Sequence, residues 1–243
     1  MTCEEFSNEF DVLVNSFTNI EPYKSLGLLN FDEYEKSVFL TKAQENIVLR
    51  CYNGHNAFGK GFEGNEEIRR SLNELVRISF SEPDGTAIPS TYSMSSTSYF
   101  FRIPSDAWAL VYESVLLNSS DECLKDKELE VTPITYDEYH KLKKNPFRGS
   151  NDRRALRIDV SSQQFASDIK MVEIVCDYDI KYYKYRYLTQ PSPIILTDLH
   201  DGLKINEITV KTECILNSLI HRTILDEAIH LALASRVPAQ QSN

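Results

Sequence analysis

The apolar stretch at residues 216–236 is the feature that most constrains the fold of this chain. Its sequence, LNSLIHRTILDEAIHLALASR, has the spacing of a single amphipathic helix. One face of that helix would carry Leu216, Leu219, Ile220, Ile224, Ala228 and Leu231, and a second face would carry Leu225, Ile229, Ala232 and Leu233. A helix with two apolar faces needs cover on two sides. The second cover is therefore either the rest of the chain or another subunit.

Both interpretations of this helix stay open at the level of sequence. In the first, it is a core helix of a monomer. In the second, its second apolar face docks on a neighbouring subunit, and the candidate interface residues are then Leu225, Ile229 and Leu233.

Composition and charge exclude several classes of protein. None of the apolar runs approaches the roughly 20 residues that span a bilayer, and the start, MTCEEFSNEF, lacks an apolar signal core. We therefore expect a cytoplasm-like compartment and no membrane partner. The 26 basic and 36 acidic residues give a net charge of −10. This charge argues against non-specific binding of nucleic acid, which needs a basic surface. An acidic channel lining would nevertheless let DNA slide past without binding it.

The sequence contains no motif that is typical of a metal or cofactor site. The five cysteines and five histidines are scattered, with no CxxC, HxxxH or HExxH pairing. No GxSxG nucleophile motif is present either. We expect no cofactor, no resident metal and no catalytic residue.

The order of predicted elements indicates an α+β fold. Helices are expected near residues 2–17, 33–51 and 65–80, and again at the last helix. Between them, strands are expected at Ser98–Ile103, Ala107–Leu117, Glu128–Thr132, Ala155–Val160, Ile169–Cys176, Ile180–Leu188 and Pro193–Leu196. The prediction is a helical body of residues 1–80 and 211–243, with a β-rich domain of residues 81–210 inserted into it.

The strand at Ile180–Leu188 has a clear two-residue period. It places Tyr183, Tyr185 and Tyr187 on one face. The preceding segment, residues 176–180, reads as a tight connection of the kind found in a hairpin.

One alternative function is a Mg²⁺-dependent nuclease. An upstream acid and a strand with an acid-x-Lys pattern can hold the metal, and the residues for this role would be Asp159, Glu173, Asp179 and Lys181. The DYD sequence reads better as a turn, because acidic residues are common in turns.

Basic residues gather in one segment of the chain: Lys141, Lys143, Lys144, Arg148, Arg153, Arg154 and Arg157. This cluster is a solvated face, a contact with an acidic partner subunit or a DNA contact. Within it, NPFRG reads as a rigid turn that displays an aromatic ring beside a charge, and such side chains are enriched at interfaces. The candidate interface residues here are Phe147, Arg148, Arg153 and Arg154.

Several long strings resemble a family of virion structural proteins, the neck ring proteins of crAss-like phages. They are MTCEEFSNEFDVLVNSF, DEYEKSVFLTKAQENIV, GNEEIRRSLNELV, TPITYDEYHKLKKNPFRG, VEIVCDYDIKYYKYRYL, PSPIIL and HRTILDEAIHLALASR. They occur in the same order and cover most of the chain. These strings are specific to the family but carry no chemical motif.

The resemblance implies a non-catalytic adaptor in the phage neck that joins the portal to the tail. It implies a homo-oligomeric ring, commonly of twelve copies, that contacts the portal protein and the next neck or tail ring protein. Genomic DNA would pass through the ring without specific binding. The protein would belong to the virion and assemble in the host bacterial cytoplasm. A second alternative function, a β-domain module for tail or host attachment, also stays open.

Overall fold

The computed structural model describes residues 1–18, 23, 28–55, 61–83, 95, 97–143, 145, 147–160, 170–200 and 202–236. The chain divides into two compact units. The helical unit comprises Met1–Leu75 and Gln190–Asn243, and the β unit comprises Val76–Thr189. The α+β class predicted from the sequence is confirmed.

The elements follow one another in a simple order. The helices are α1 (Cys3–Phe17), α2 (Glu33–Asn53), α3 (Glu66–Leu72), α4 (Tyr136–Leu142) and α5 (His221–Arg236). The strands are β1 (Val76–Ser81), β2 (Ser98–Ile103), β3 (Ala107–Leu117), β4 (Glu128–Ile134), β5 (Arg154–Val160), β6 (Lys170–Val175) and β7 (Ile180–Thr189).

Local capping chemistry sets where the helices begin. Thr2 accepts a hydrogen bond from the backbone N–H of Glu5, whose carboxylate accepts in turn from the Thr2 backbone. Asp32 and Glu35 form the same reciprocal arrangement at the start of α2. These capping boxes satisfy N–H groups that have no partner within the helix. The helix starts predicted from the sequence are confirmed at both places.

Packing within the helical unit buries most apolar residues of α5, but Leu219 of the predicted first face is 60% exposed just before the helix. Packing against α1 and α2 buries Ile224, Leu225, Ala228, Ile229, Ala232 and Leu233. Arg236 donates a hydrogen bond to Glu35 at 3.0 Å, which ties the end of α5 to the start of α2. Together α1 and α2 cover the second predicted face and the buried Ile224 and Ala228 of the first.

The segment that follows β7 belongs to the helical unit, although the sequence-based boundary was residue 210. The backbone N–H groups of Ile194 and Leu196 donate to the hydroxyls of Thr41 and Ser37 on α2. Gln44 of α2 donates to the Ser192 carbonyl at 2.8 Å. Polar side chains of α2 thus satisfy this backbone, and the predicted strand Pro193–Leu196 forms only an isolated bridge to Thr212.

Within the described residues of the β unit, seven strands form one sheet in the order β1-β7-β3-β4-β5-β6-β2. Every neighbouring pair is antiparallel except β4 and β5, which are parallel. A parallel pair needs a crossover connection, and α4 with the loop after it provides this one. The rings of Phe101 on β2 and Tyr183 on β7 lie only 5.2 Å apart between centroids. Because these strands are far apart in the sheet order, this contact shows that the sheet curls around an apolar interior.

The curled sheet has two differently covered faces. Its interior is filled by side chains that include Phe101, Val115, Leu117, Leu129, Val131, Val172, Ile174, Tyr183, Tyr185 and Tyr187. The predicted shared face of the three tyrosines is therefore confirmed. On the outer face, Tyr139 of α4 packs on Leu156, Ile158 and Val175, which lie on β5 and β6.

Two local predictions were wrong. Residues 76–80 were predicted to continue the third helix, but they form β1, where Val76, Ile78 and Phe80 alternate with polar residues and pair with β7. The expected hairpin at residues 176–180 is also absent, since β6 pairs with β5 and β2 while β7 pairs with β1 and β3. The curl of the sheet lets this short segment connect strands that are not neighbours.

Candidate interface surfaces

The three candidate interface residues of α5 lie in the core of the helical unit. Leu225 is 1% exposed, and Ile229 and Leu233 are fully buried. As placed here, their side chains contact their own unit and offer no surface to another subunit. The exposed positions of α5 are mostly polar and include Arg222, Asp226 and His230.

The loop between α4 and β5 has a compact hydrogen-bonded structure built around one asparagine. The Asn145 carbonyl accepts from the N–H of Gly149 at 2.8 Å, and its side-chain oxygen accepts from the N–H of Phe147 at 3.0 Å. A β-carbon at Gly149 would lie 3.0 Å from the Asn145 carbonyl oxygen and 3.2 Å from that of Leu142. Glycine is therefore required by close backbone approach, and the hydrogen bonds to Asn145 define the backbone at Phe147 and Gly149.

Phe147 is the most exposed large apolar side chain of the β unit among the described residues. Its exposed fraction is 88%, although its own backbone N–H and those of Arg148 and Gly149 donate to Asn145. In the isolated chain, an aromatic ring that stays in water contributes no hydrophobic stabilisation. Such a side chain is typical of an anchor that becomes buried in a partner.

The basic cluster predicted from the sequence separates into surface and interior residues. Arg148 and Arg153 are exposed in the same loop as Phe147, between α4 and β5. Arg154 is half-buried on β5, in register beside Glu130 of β4. Arg157 lies inside the curled sheet, where its Nε is 2.9 Å from the carboxylate of Glu113. The structure thus leaves Phe147, Arg148 and Arg153 exposed in one loop, whereas Arg157 is turned inward.

A second exposed surface, which the sequence analysis missed, is an apolar groove on the outer face of the sheet. The groove has a volume of about 430 Å³ and is lined by Ile78, Phe80, Ser114, Leu116, Glu128, Tyr182 and Lys184. Ile78 and Phe80 are 69% and 70% exposed. The groove lies on β1, β7, β3 and β4, whereas α4 packs on β5 and β6.

The groove is preorganised by contacts between its own side chains. Phe80 and Tyr182 make an edge-to-face contact with centroids 5.9 Å apart. Ser114 donates to the Glu128 carboxylate at 2.6 Å, and Lys184 lies 3.5 Å from the same oxygen. The Ser114 hydrogen bond, aided by Lys184, lowers the pKa of Glu128 and keeps it ionised.

Alternation along β1 is the signal that could have revealed the groove. Val76, Ile78 and Phe80 recur every second residue, a strand period that the sequence analysis assigned to a helix.

The four residues of the nuclease hypothesis do not form a metal site. Asp159 pairs with Arg157, and Glu173 is fully buried. Asp179 accepts a hydrogen bond from Tyr99 at 2.6 Å, and Lys181 pairs with Asp126. Among the described residues, no group of three or more His, Cys, Asp or Glu side chains is arranged to hold a metal ion.

The described helices also include none that is long and apolar enough to cross a membrane.

Comparison with known proteins places this chain in a family. The chain matches the family model described as "Phage tail ring protein 3/4" over residues 1–243. It is similar to "Ring protein 3" of Bacteroides phage crAss001, with 42% identity over 238 residues that cover 97% of this chain and 96% of the relative. It is also similar to "Ring protein 4/5" of the same phage, with 34% identity over 241 residues and 97% and 93% coverage. The resemblance to crAss-like phage ring proteins is thus confirmed, and the chain belongs to the phage tail ring protein 3/4 family, whose members are structural components of the virion.

Proposed function

We propose that this protein is a ring-forming adaptor of the phage neck, which joins the portal to the tail and lines the DNA channel without catalysing a reaction. The observation that carries the proposal is the family match along the whole chain, with two relatives named as ring proteins. A ring of twelve copies would fit the portal, and the next ring protein would continue the channel. Assembly would take place in the host cytoplasm.

The charge and chemistry of the chain support this role. A net charge of −10 suits a channel wall that releases DNA. The β unit displays both an aromatic anchor, Phe147, and an exposed apolar groove. Exposed apolar patches of this kind are typical of surfaces that bind other proteins.

Co-expression with the portal protein of the same phage tests the proposal. Light scattering gives the mass of the purified complex, and electron microscopy gives its symmetry. The proposal predicts a ring-sized complex in which this chain is present in twelve copies. A chain that stays monomeric and binds neither the portal nor the neighbouring ring proteins would contradict it.

A further inference from the structure

The β unit carries two exposed apolar surfaces. The first, which we call the loop knob, consists of Phe147 with the flanking bases Arg148 and Arg153. The second is the sheet groove, whose apolar lining is Ile78, Phe80, Leu116 and Tyr182. Local contacts hold the backbone of Phe147 in the first surface and the rings of Phe80 and Tyr182 in the second. A surface of this kind is stabilised when a partner removes it from water.

The two surfaces do not overlap on the sheet. The loop knob lies in the crossover between β4 and β5, on the part of the chain that includes α4. The groove centres on β1, β7 and β3. Two different patches on one chain that fit each other make a heterologous contact, and such contacts close into a ring when the rotation divides a full turn.

Charge favours a second copy of this chain as the occupant of the groove. Residues 141–157 hold seven of the chain's 26 bases but only one of its 36 acids, so the rest of the chain is strongly acidic. The groove carries two bases, Lys184, which pairs with Glu128, and Lys181, which lies over the Tyr182 ring. Acids flank it on β4 and after β1. Glu128 and Glu130 lie on β4, and exposed Glu82 follows β1 at the level of Tyr182. These carboxylates would meet Arg148 and Arg153 when Phe147 enters the groove.

We propose that the Phe147 knob of one copy docks in the Ile78–Phe80–Leu116–Tyr182 groove of the next copy around the ring. This inference rests on the proposed ring-forming function and adds the pair of surfaces that joins the copies. Phe147 is the anchor of the contact, and Phe80 and Tyr182 form the wall that receives it. Arg148 and Arg153 pair with the carboxylates of Glu82, Glu128 and Glu130 that flank the groove.

Photo-crosslinking in the assembled ring tests the contact directly. The full chain, with p-benzoylphenylalanine in place of Phe147, is co-expressed with the portal and neighbouring ring proteins, and the assembly is imaged and then irradiated. Equal amounts of isotopically light and heavy chain distinguish links between copies from links within one copy. The expected product joins residue 147 of one copy to residues 76–82 or 180–186 of another.

The outcomes separate this inference from the proposed function. A ring whose crosslinks go to the portal, to DNA or to another part of the chain would overturn the knob-and-groove contact and leave the ring-forming function standing. Failure of the unmodified chain to form a ring would overturn both proposals.

Two substitutions on opposite sides of the contact provide a second test. Phe147→Ser and Phe80→Ser each alter an exposed side chain, so both variants are expected to fold. Each should weaken ring assembly at least about tenfold, because truncating a central aromatic anchor costs at least that much affinity. Val12→Ser, which alters a 65% exposed residue on α1, is the matched control and should assemble normally. Normal assembly of both variants would overturn the contact.

Discussion

The guanidinium of Arg157 and the carboxylate of Glu113 form an ion pair inside the curled sheet. Arg157 Nε lies 2.9 Å from Glu113 Oε2, and the two side chains are only 12% and 7% exposed. The hydroxyl of Tyr183 donates to the same carboxylate oxygen at 2.6 Å. Burial raises the pKa of Glu113, and the charge of Arg157 and the Tyr183 hydrogen bond oppose this rise. Among the described residues, Arg157, Glu113 and Tyr183 thus form a polar network against an interior of mainly apolar side chains.

Removing the positive partner of this network should strongly destabilise the β unit. Arg157→Met leaves the Glu113 charge buried without its partner, and losing one partner of a buried ion pair costs about 3–5 kcal/mol. Urea unfolding of the full chain, followed by tyrosine and tryptophan fluorescence, measures the loss. Arg153→Met is the matched control, because Arg153 is exposed, and it should change stability by less than about 0.5 kcal/mol.

A double variant separates the charge effect from the loss of packing. Combining Arg157→Met with Glu113→Gln removes both charges and should recover a large part of the stability lost by Arg157→Met alone. A double variant that is as unstable as the sum of the two single variants would contradict a coupled ion pair.

The burial of α5 predicts unfolding rather than a specific assembly defect for charge substitutions on its second apolar face. Ile229→Asp places a carboxylate at a fully buried position and should cost at least about 3 kcal/mol. Leu219→Asp, at a position that is 60% exposed just before α5, should leave stability almost unchanged. Circular dichroism during thermal unfolding compares the two. A well-folded Ile229→Asp chain that fails only in assembly would show that this face is open to a partner.

Stability of the helical unit should fall as the pH drops through the range of histidine titration. His221 lies in a buried site where its Nε2 contacts the Leu216 carbonyl at 2.8 Å and its Nδ1 contacts the N-terminal ammonium at 2.7 Å. Burial lowers the pKa of His221 below its usual 6.5, and the ammonium lowers it further, against the opposing effect of the Leu216 carbonyl. The unfolded chain therefore binds a proton first as the pH falls.

The contribution of His221 is complete above about pH 6.5 and is lost as the pH falls toward the lowered pKa of the folded state. Urea midpoints at about pH 7.5 and about pH 5.5 measure this loss. His221→Gln carries no titratable group and should show a smaller drop between the two values. Identical drops for the variant and the unmodified chain would contradict the role of His221.

Thiol reactivity should distinguish one cysteine from the other four. All five cysteines are free, and Cys123 is the exposed one. Burial raises the pKa of Cys176 and Cys214 to about 11, which leaves little reactive thiolate at neutral pH. An aromatic disulfide reagent should therefore give a single fast phase that disappears in Cys123→Ser. A fast phase that persists in this variant would show that one of the other four thiols is reactive, against this prediction.

Local signals in the sequence were sufficient to predict much of the fold. The helix starts at Thr2 and Asp32 follow from capping residues, which act within one turn of the chain. The tyrosine face of β7 follows from its two-residue period. The strand at Val76–Ser81 was missed because the helical spacing from Ile68 to Phe80 competed with the alternation, and pairing with β7 decides between them.

The long-range parts of the site could not be predicted in the same way. Two apolar faces on α5 look alike whether α2 or another subunit covers them. Arg157 ends the basic segment that begins at Lys141, but strand alternation turns it inward to Glu113. The sheet groove exists only because β1 and β3 pair with β7 on its two sides. The paired residues of β1 and β7 are more than 100 positions apart in the sequence. Exposure of Phe147, by contrast, followed from the local turn chemistry of Asn145 and Gly149.

Electron cryomicroscopy of the complete virion tests the central claim most directly. The account predicts a closed ring of copies of this chain around the DNA channel between the portal and the tail. It predicts density for Phe147 of each copy in the groove beside Phe80 of its neighbour. A virion in which this chain forms no closed ring, or occurs only as separate copies away from the channel, would contradict the account.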